Sequence, residues 1–139
     1  MPVPEIRTLD PSKVTLTVNG MVVTGFADGE YIRAEITEDS YDRITGVQGH
    51  SVRVRRAGKP GEIRIRLLAT SPTLPVLRAL AESDKPFPVV CTDSNDGTEK
   101  GFVAEQAWIK RPHPFVRAKD AAGNVVEVVF ETHHLVFNA

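Results

Sequence analysis

The sequence predicts a mainly β domain: two packed antiparallel sheets, as a sandwich or barrel, with one flanking α-helix. Three observations predict it. Short runs of alternating apolar and polar residues recur along the chain, separated by Gly/Asn/Asp turns. Only one segment, opened at Ser71-Pro72, carries apolar residues at helical spacing. At 139 residues, with 41% hydrophobic and 25% charged residues, the chain is one domain able to bury a core without staples.

The first twelve residues, with Pro2, Pro4 and Pro11, read as an extended arm, because proline withholds the backbone donor that helix and ladder need. Lys13 to Val18 alternates, with Val14, Leu16 and Val18 on one face. Asn19-Gly20 is a type I′ hairpin signal, and Met21 to Gly25 is the returning strand. After the turn at Ala27 to Glu30, Tyr31 to Thr37 sets Ile32, Ala34 and Ile36 against Tyr31, Arg33 and Glu35. From Glu38 to His50 the pattern breaks, which predicts a long loop or an extended hairpin tip. Segments of that length in a compact domain usually serve a function or lack order.

Ser51 to Arg56 is expected as a strand with Val52 and Val54 inward, and Glu62 to Leu68 as another with Ile63, Ile65 and Leu67 inward. If those two pair, Arg53, Arg55, Arg64 and Arg66 form one basic stripe. The helix is expected over 72–83. Ser71 or Thr73 can accept from its free first-turn amides, Pro72 and Pro75 are tolerated there, and Leu74, Leu77, Leu80 and Ala81 share a face. Glu82 to Pro86 stops it. Three strands follow: Phe87 to Thr92; Gly101 to Arg111, with Phe102, Ala104, Gln106 and Trp108 on one side; and Val125 to Phe137.

A net charge of −1 argues against a strongly basic nucleic-acid binder. One cysteine, Cys91, allows no internal disulfide and no cysteine-rich zinc site. No apolar run approaches membrane-helix length, and Met1 to Glu5 has no secretory pattern, so synthesis in a cytoplasm is expected. His133-His134 sit side by side on a strand, hence on opposite faces, and cannot hold one metal together; one ring is expected half-buried and the other exposed. His50 and His113 read as surface residues, and Cys91 as a small buried hydrophobe. The acidic run Glu38, Asp39, Asp42 lacks the ligand alternation of a calcium loop. No nucleophile elbow, phosphate loop or dinucleotide fingerprint occurs, so no enzyme, metal or cofactor is expected. A β-barrel binding module is the competing reading, weakened by an aromatic content of 6%.

Several segments, in order, resemble the tube proteins of contractile bacteriophage tails. Val14 to Val18 with Gly25 to Glu30 looks like the family's opening hairpin. Glu38-Asp39-Ser40 with Gly46 and Gly49 resembles its loop. Gly61 to Pro72, continued by Val76 to Leu80, is similar to its strand-Thr-Ser-Pro-helix unit, and Gln106 to Ile109 fits a later strand. Leu74-Pro75, Arg64 and Arg66 depart from the family pattern. The resemblance implies two packed sheets with a flanking helix, in six-membered rings stacked into a hollow tube inside a contractile sheath. Implied partners are further copies of the chain, tail sheath protein, tape measure protein, baseplate and tail terminator proteins, and viral DNA sliding through the lumen without sequence-specific binding. The implied location is the virion. A type VI secretion-like tube shares the architecture. Glu38, Asp39, Asp42, Arg43, Arg53, Arg55, Arg64 and Arg66 are the residues expected at inter-ring or inter-subunit contacts.

Overall fold

The computed structural model describes residues 3–138. The expected arm over 1–12 begins with Met1 and Pro2, which lie outside the described residues; residues 3–10 have no regular structure. The mainly β expectation holds: one large antiparallel sheet, one small sheet and one helix.

The strands are β1 (Val14–Val18), β2 (Met21–Val22), β3 (Ile32–Ile36), β4 (Tyr41–Thr45), β5 (Ser51–Arg55) and β6 (Gly61–Leu68). The helix α1 (Thr73–Glu82) then precedes β7 (Phe87–Asp93), β8 (Gly101–Ile109), β9 (Val125–Thr132) and β10 (Val136–Phe137). The large sheet runs β2-β1-β7-β8-β9-β6-β3, with β10 also paired to β8. It wraps on itself. The segment after β2 leaves β1, where the Val23 amide donates to the Leu16 carbonyl, and reaches β6, where Phe26 bridges Leu67. One stretch of chain therefore joins the two ends of the sheet.

Alternation decides which side chains fill the interior. β1 contributes Leu16 and Val18; β6 contributes Ile63, Ile65 and Leu67; β9 contributes Val126, Val128 and Phe130. Each fully buried side chain of this size contributes about 1.5–3 kcal/mol of transfer free energy. The helix adds Leu74 and Leu77 to the same core.

The start of α1 explains the Thr-Ser-Pro segment. The Ser71 hydroxyl donates to the Thr24 carbonyl at 2.6 Å and accepts from the Thr73 amide at 3.3 Å. The Thr24 amide in turn donates to Thr73 Oγ1 at 3.3 Å. Gly25 passes so close that a Cβ there would meet Ser71, and its φ of +80° is one that glycine adopts without strain. Pro75 is the third residue of the helix, where its missing donor costs no intrahelical bond.

Several expectations are corrected. Ser51 to Arg55 pairs with Tyr41 to Thr45, not with the 62–68 strand, because β6 already has β3 and β9 on its two edges. Val52 and Val54 are exposed instead of inward. On β8 the register with β7 shifts between Phe87 and Val89, so Ala107 rather than Gln106 returns to the interior. The last strand breaks after Thr132, where the Leu135 amide turns to bond the Lys59 carbonyl and its side chain is buried. His133 and His134 sit in that break, and both are exposed. His113 is buried, 5% exposed, rather than at the surface.

Candidate assembly interface

β4 and β5 form a two-stranded hairpin that packs on itself and not on the barrel. The stretch 38–50 is therefore the first strand and the tip of this hairpin, and not an irregular loop. Its register opposes Tyr41 to Arg55, Arg43 to Arg53 and Ile44 to Val52. The tip is closed by the Gly46 amide on the His50 carbonyl at 2.7 Å and by Thr45 Oγ1 beside Ser51 Oγ at 3.0 Å.

Period-two alternation gives the hairpin two unlike faces. Tyr41, Arg43, Arg53 and Arg55 share one; Asp42, Ile44, Val52 and Val54 share the other. The apolar face is bare, with Ile44 74%, Val52 64% and Val54 57% exposed. The Arg53 guanidinium stacks over the Tyr41 ring at 4.3 Å. Among the described residues, Arg43, Arg53 and Arg55 have no carboxylate partner. At the base, Arg56 meets Asp42 at 3.1 Å and Glu38 at 3.2 Å, and these carboxylates, Asp42 foremost, hold its pKa above the usual value. An isolated two-stranded hairpin is marginally stable in water, and its bare apolar face is the candidate interaction surface.

The basic stripe is not formed. Arg64 and Arg66 lie on β6, on the outer face of the barrel, apart from Arg53 and Arg55. There Arg64 enters a lattice of opposite charges. Arg64 Nη2 lies 2.7 Å from Glu62 Oε1, and its Nη1 lies 3.3 Å from Glu127. These contacts, Glu62 first, raise the Arg64 pKa. Arg66 donates to the Asp28 carbonyl at 3.1 Å. Arg33 adds pairs to Glu30 and Glu35, and Lys110 lies between Glu62 and Glu131. Sequence reasoning missed Arg33, Glu35, Glu62, Lys110, Glu127 and Glu131 as a unit. Their outward parity on three strands was available, but joining them needs the register.

Asp39 lies exposed at the hairpin base. The arm's end is pinned by Asn95, which exchanges bonds with the Asp10 backbone at 2.9 and 3.2 Å and bonds Asp93 Oδ1. The amide and side chain of Asn95 hold the Asp93 carboxyl below its usual range. Cys91 is buried, and desolvation, then Asp93, pushes its thiol up to about 11, which removes it as a nucleophile near neutral pH. Among the described residues no cluster of metal-binding side chains occurs, and no helix is long and apolar enough to cross a membrane.

No family model matches the sequence, and no curated protein matches it. Solved structures do. The anti-feeding prophage cap, a tube-terminating cap, aligns with a TM-score of 0.64 at 10% identity, over 99% of this chain and 95% of that one. A chain of the sheath–tube complex of the extracellular contractile injection system PVC, in its extended state, aligns at 0.61 and 12% identity, over 94% and 90%. The PVC sheath/tube terminator aligns at 0.55 and 13% identity, over 100% and 98%. Identities this low make the likeness one of fold: a tail-tube-like fold spanning the whole chain.

Proposed function

We propose that the chain is a structural subunit of the inner tube of a contractile phage or phage-like tail, forming hexameric rings that stack around a lumen for DNA. The observation that carries this reading is the likeness of fold to contractile-injection components, over 94–100% of this chain and 90–98% of theirs. The bare hairpin supports it, because a folded subunit that stops at its own surface has no use for an exposed Ile44-Val52-Val54 face. Head-to-tail contacts close rings when the rotation permits, and stacked rings make an open tube.

In this reading Glu38, Asp39, Asp42, Arg43, Arg53 and Arg55 lie on the hairpin that contacts a neighbouring subunit. Arg64, paired with Glu62 and Glu127 in its own subunit, is compatible with a bore that DNA passes without sticking, whereas Arg66 meets the Asp28 carbonyl and keeps its charge. Sheath, tape measure, baseplate and terminator proteins are the partners such a tube requires, and the assembled particle is its location.

A second reading, a ring that ends a tube, rests on the cap and terminator alignments, at TM-scores of 0.64 and 0.55 beside 0.61 for the sheath–tube chain. Negative-stain microscopy of the purified chain separates them. A tube subunit gives hollow tubes of varying length, a terminating ring gives single rings, and a binding module gives monomers at high concentration.

A further inference from the structure

The chain between β8 and β9 leaves the sheet. Over 112–117 it lies back against α1, where Arg78 donates to the His113 carbonyl at 3.0 Å. Helix and loop enclose a cavity of about 250 Å³. Leu74 and Pro75 of α1, Val126 of β9, and Phe115 and Val116 of the loop give it apolar walls. Its two charged residues, Arg78 and Arg117, are both cations. Three observations set it apart from an ordinary solvated face. The first is unspent charge. Arg78 and Arg117, with their neighbours Arg111 and Lys119, have no carboxylate partner among the described residues. Arg78 and Arg117 each donate to a backbone carbonyl, those of His113 and Val116, and keep further donors of the guanidinium fork. The second is His113, which lines the cavity and is 5% exposed, with no hydrogen-bond partner for its Nδ1. Buried polar atoms are nearly always paired, so an orphan beside a cavity marks the place of a missing partner. The third is Phe115, 76% exposed, with the Arg117 guanidinium 4.2 Å from its ring centre. An aromatic left in water beside a cation has the composition of an interface anchor.

We propose that this cavity receives an acidic side chain, flanked by an apolar one, from a peptide segment of a second protein. The carboxylate pairs with the Arg78 and Arg117 guanidiniums beside His113, and its apolar neighbour packs on Phe115, Leu74 and Val126. The exposed ring of Phe115 asks for a larger occupant than a free acid, which the cavity alone would hold. A second copy of this chain is a poor source. Its own surface that joins acidic to apolar residues is concave too: a groove of about 530 Å³ beside the free edge of β3, where Asp10, Glu30, Asp93 and Glu99 surround Ile32 and Phe102. Two concavities cannot fill each other. The apolar face of the hairpin carries Asp42, and Arg56 already holds that carboxylate. The inference stands apart from the assembly reading, which uses the hairpin and not this loop.

Calorimetric titration of the full chain tests it. The probe is a blocked peptide of alternating glutamate and leucine, and the control has glutamine for glutamate. Wild type should prefer the glutamate peptide about tenfold. In Arg117→Gln, an exposed change whose thermal melt should match wild type, that preference should nearly vanish. Phe115→Ala should weaken both peptides alike, because it removes apolar contact and no charge. Arg53→Glu with Arg55→Glu, on the hairpin, should bind as wild type does. A photo-cross-linking group in the glutamate peptide should label residues of 112–117 or α1. Equal affinity of wild type for the two peptides, an undiminished preference in Arg117→Gln, or labelling of the hairpin would overturn the proposal. So would a self-association of wild type that Arg117→Gln abolishes, since the occupant would then be a second copy. Tubes in micrographs, present or absent, bear on the assembly reading alone.

Discussion

Ser71 carries two connections on one hydroxyl, to the Thr24 carbonyl and to the Thr73 amide, and it is buried. Ser71→Ala leaves that carbonyl unpaired in a site that water does not reach. The expected cost is about 1–3 kcal/mol, read by chemical denaturation. His113 gives a pH dependence. Burial, and next the charge of Arg78, lower its pKa, and its Nδ1 has no hydrogen-bond partner. The folded state therefore resists protonation. Its contribution to stability is complete above the imidazole's unfolded pKa, roughly 6.5, and is lost as pH falls, because the unfolded chain takes up the proton first. The Tm of wild type should drop between neutral pH and mildly acid pH, and a His113→Phe variant should show a shallower drop. An equal drop in both would remove His113 as the cause.

Elements differ in how plainly they could be read. β1, β3, β6 and α1 were legible because one side of each meets the core, so burial writes the period into the sequence. The hairpin was legible in part: the Ser51 strand and the alternative of an extended hairpin tip over 38–50 were read, but the Tyr41–Thr45 strand was not, because every residue of β4 and β5 is exposed and no core faces them. Val52 and Val54 looked inward because their alternation was real, but their strand pairs with β4 in a hairpin outside the core, which leaves both exposed. The Gln106 reversal was hidden because a one-residue shift in register leaves no composition signal. His113 was misread because Pro112 and Pro114 suggested an open loop, whereas that loop lies back against the barrel and α1, with Arg78 donating to the His113 carbonyl at 3.0 Å. At this scale the account makes a sharp prediction. Replacing residues 39–55 by a short Gly-Ser linker removes the hairpin without disturbing barrel packing. The melting temperature should stay within a few degrees of wild type, while tubes disappear from electron micrographs. Tubes that persist would contradict the hairpin's role.

The whole molecule joins a closed core to deliberately incomplete surfaces: a free β3 edge, an open groove and a bare hairpin. Soluble monomers usually blunt such edges. The charged lattice of Glu62, Arg64, Glu127 and Lys110 is already balanced within one subunit, so it calls for no partner. Cryo-electron microscopy of the purified full-length chain, at concentrations that favour association, tests the central claim most directly. The account predicts hollow tubes of stacked six-membered rings, with the hairpin crossing between subunits and a bore free of unpaired arginines. A monodisperse monomer that persists even beside sheath protein, or a bore lined by exposed arginines, would contradict it.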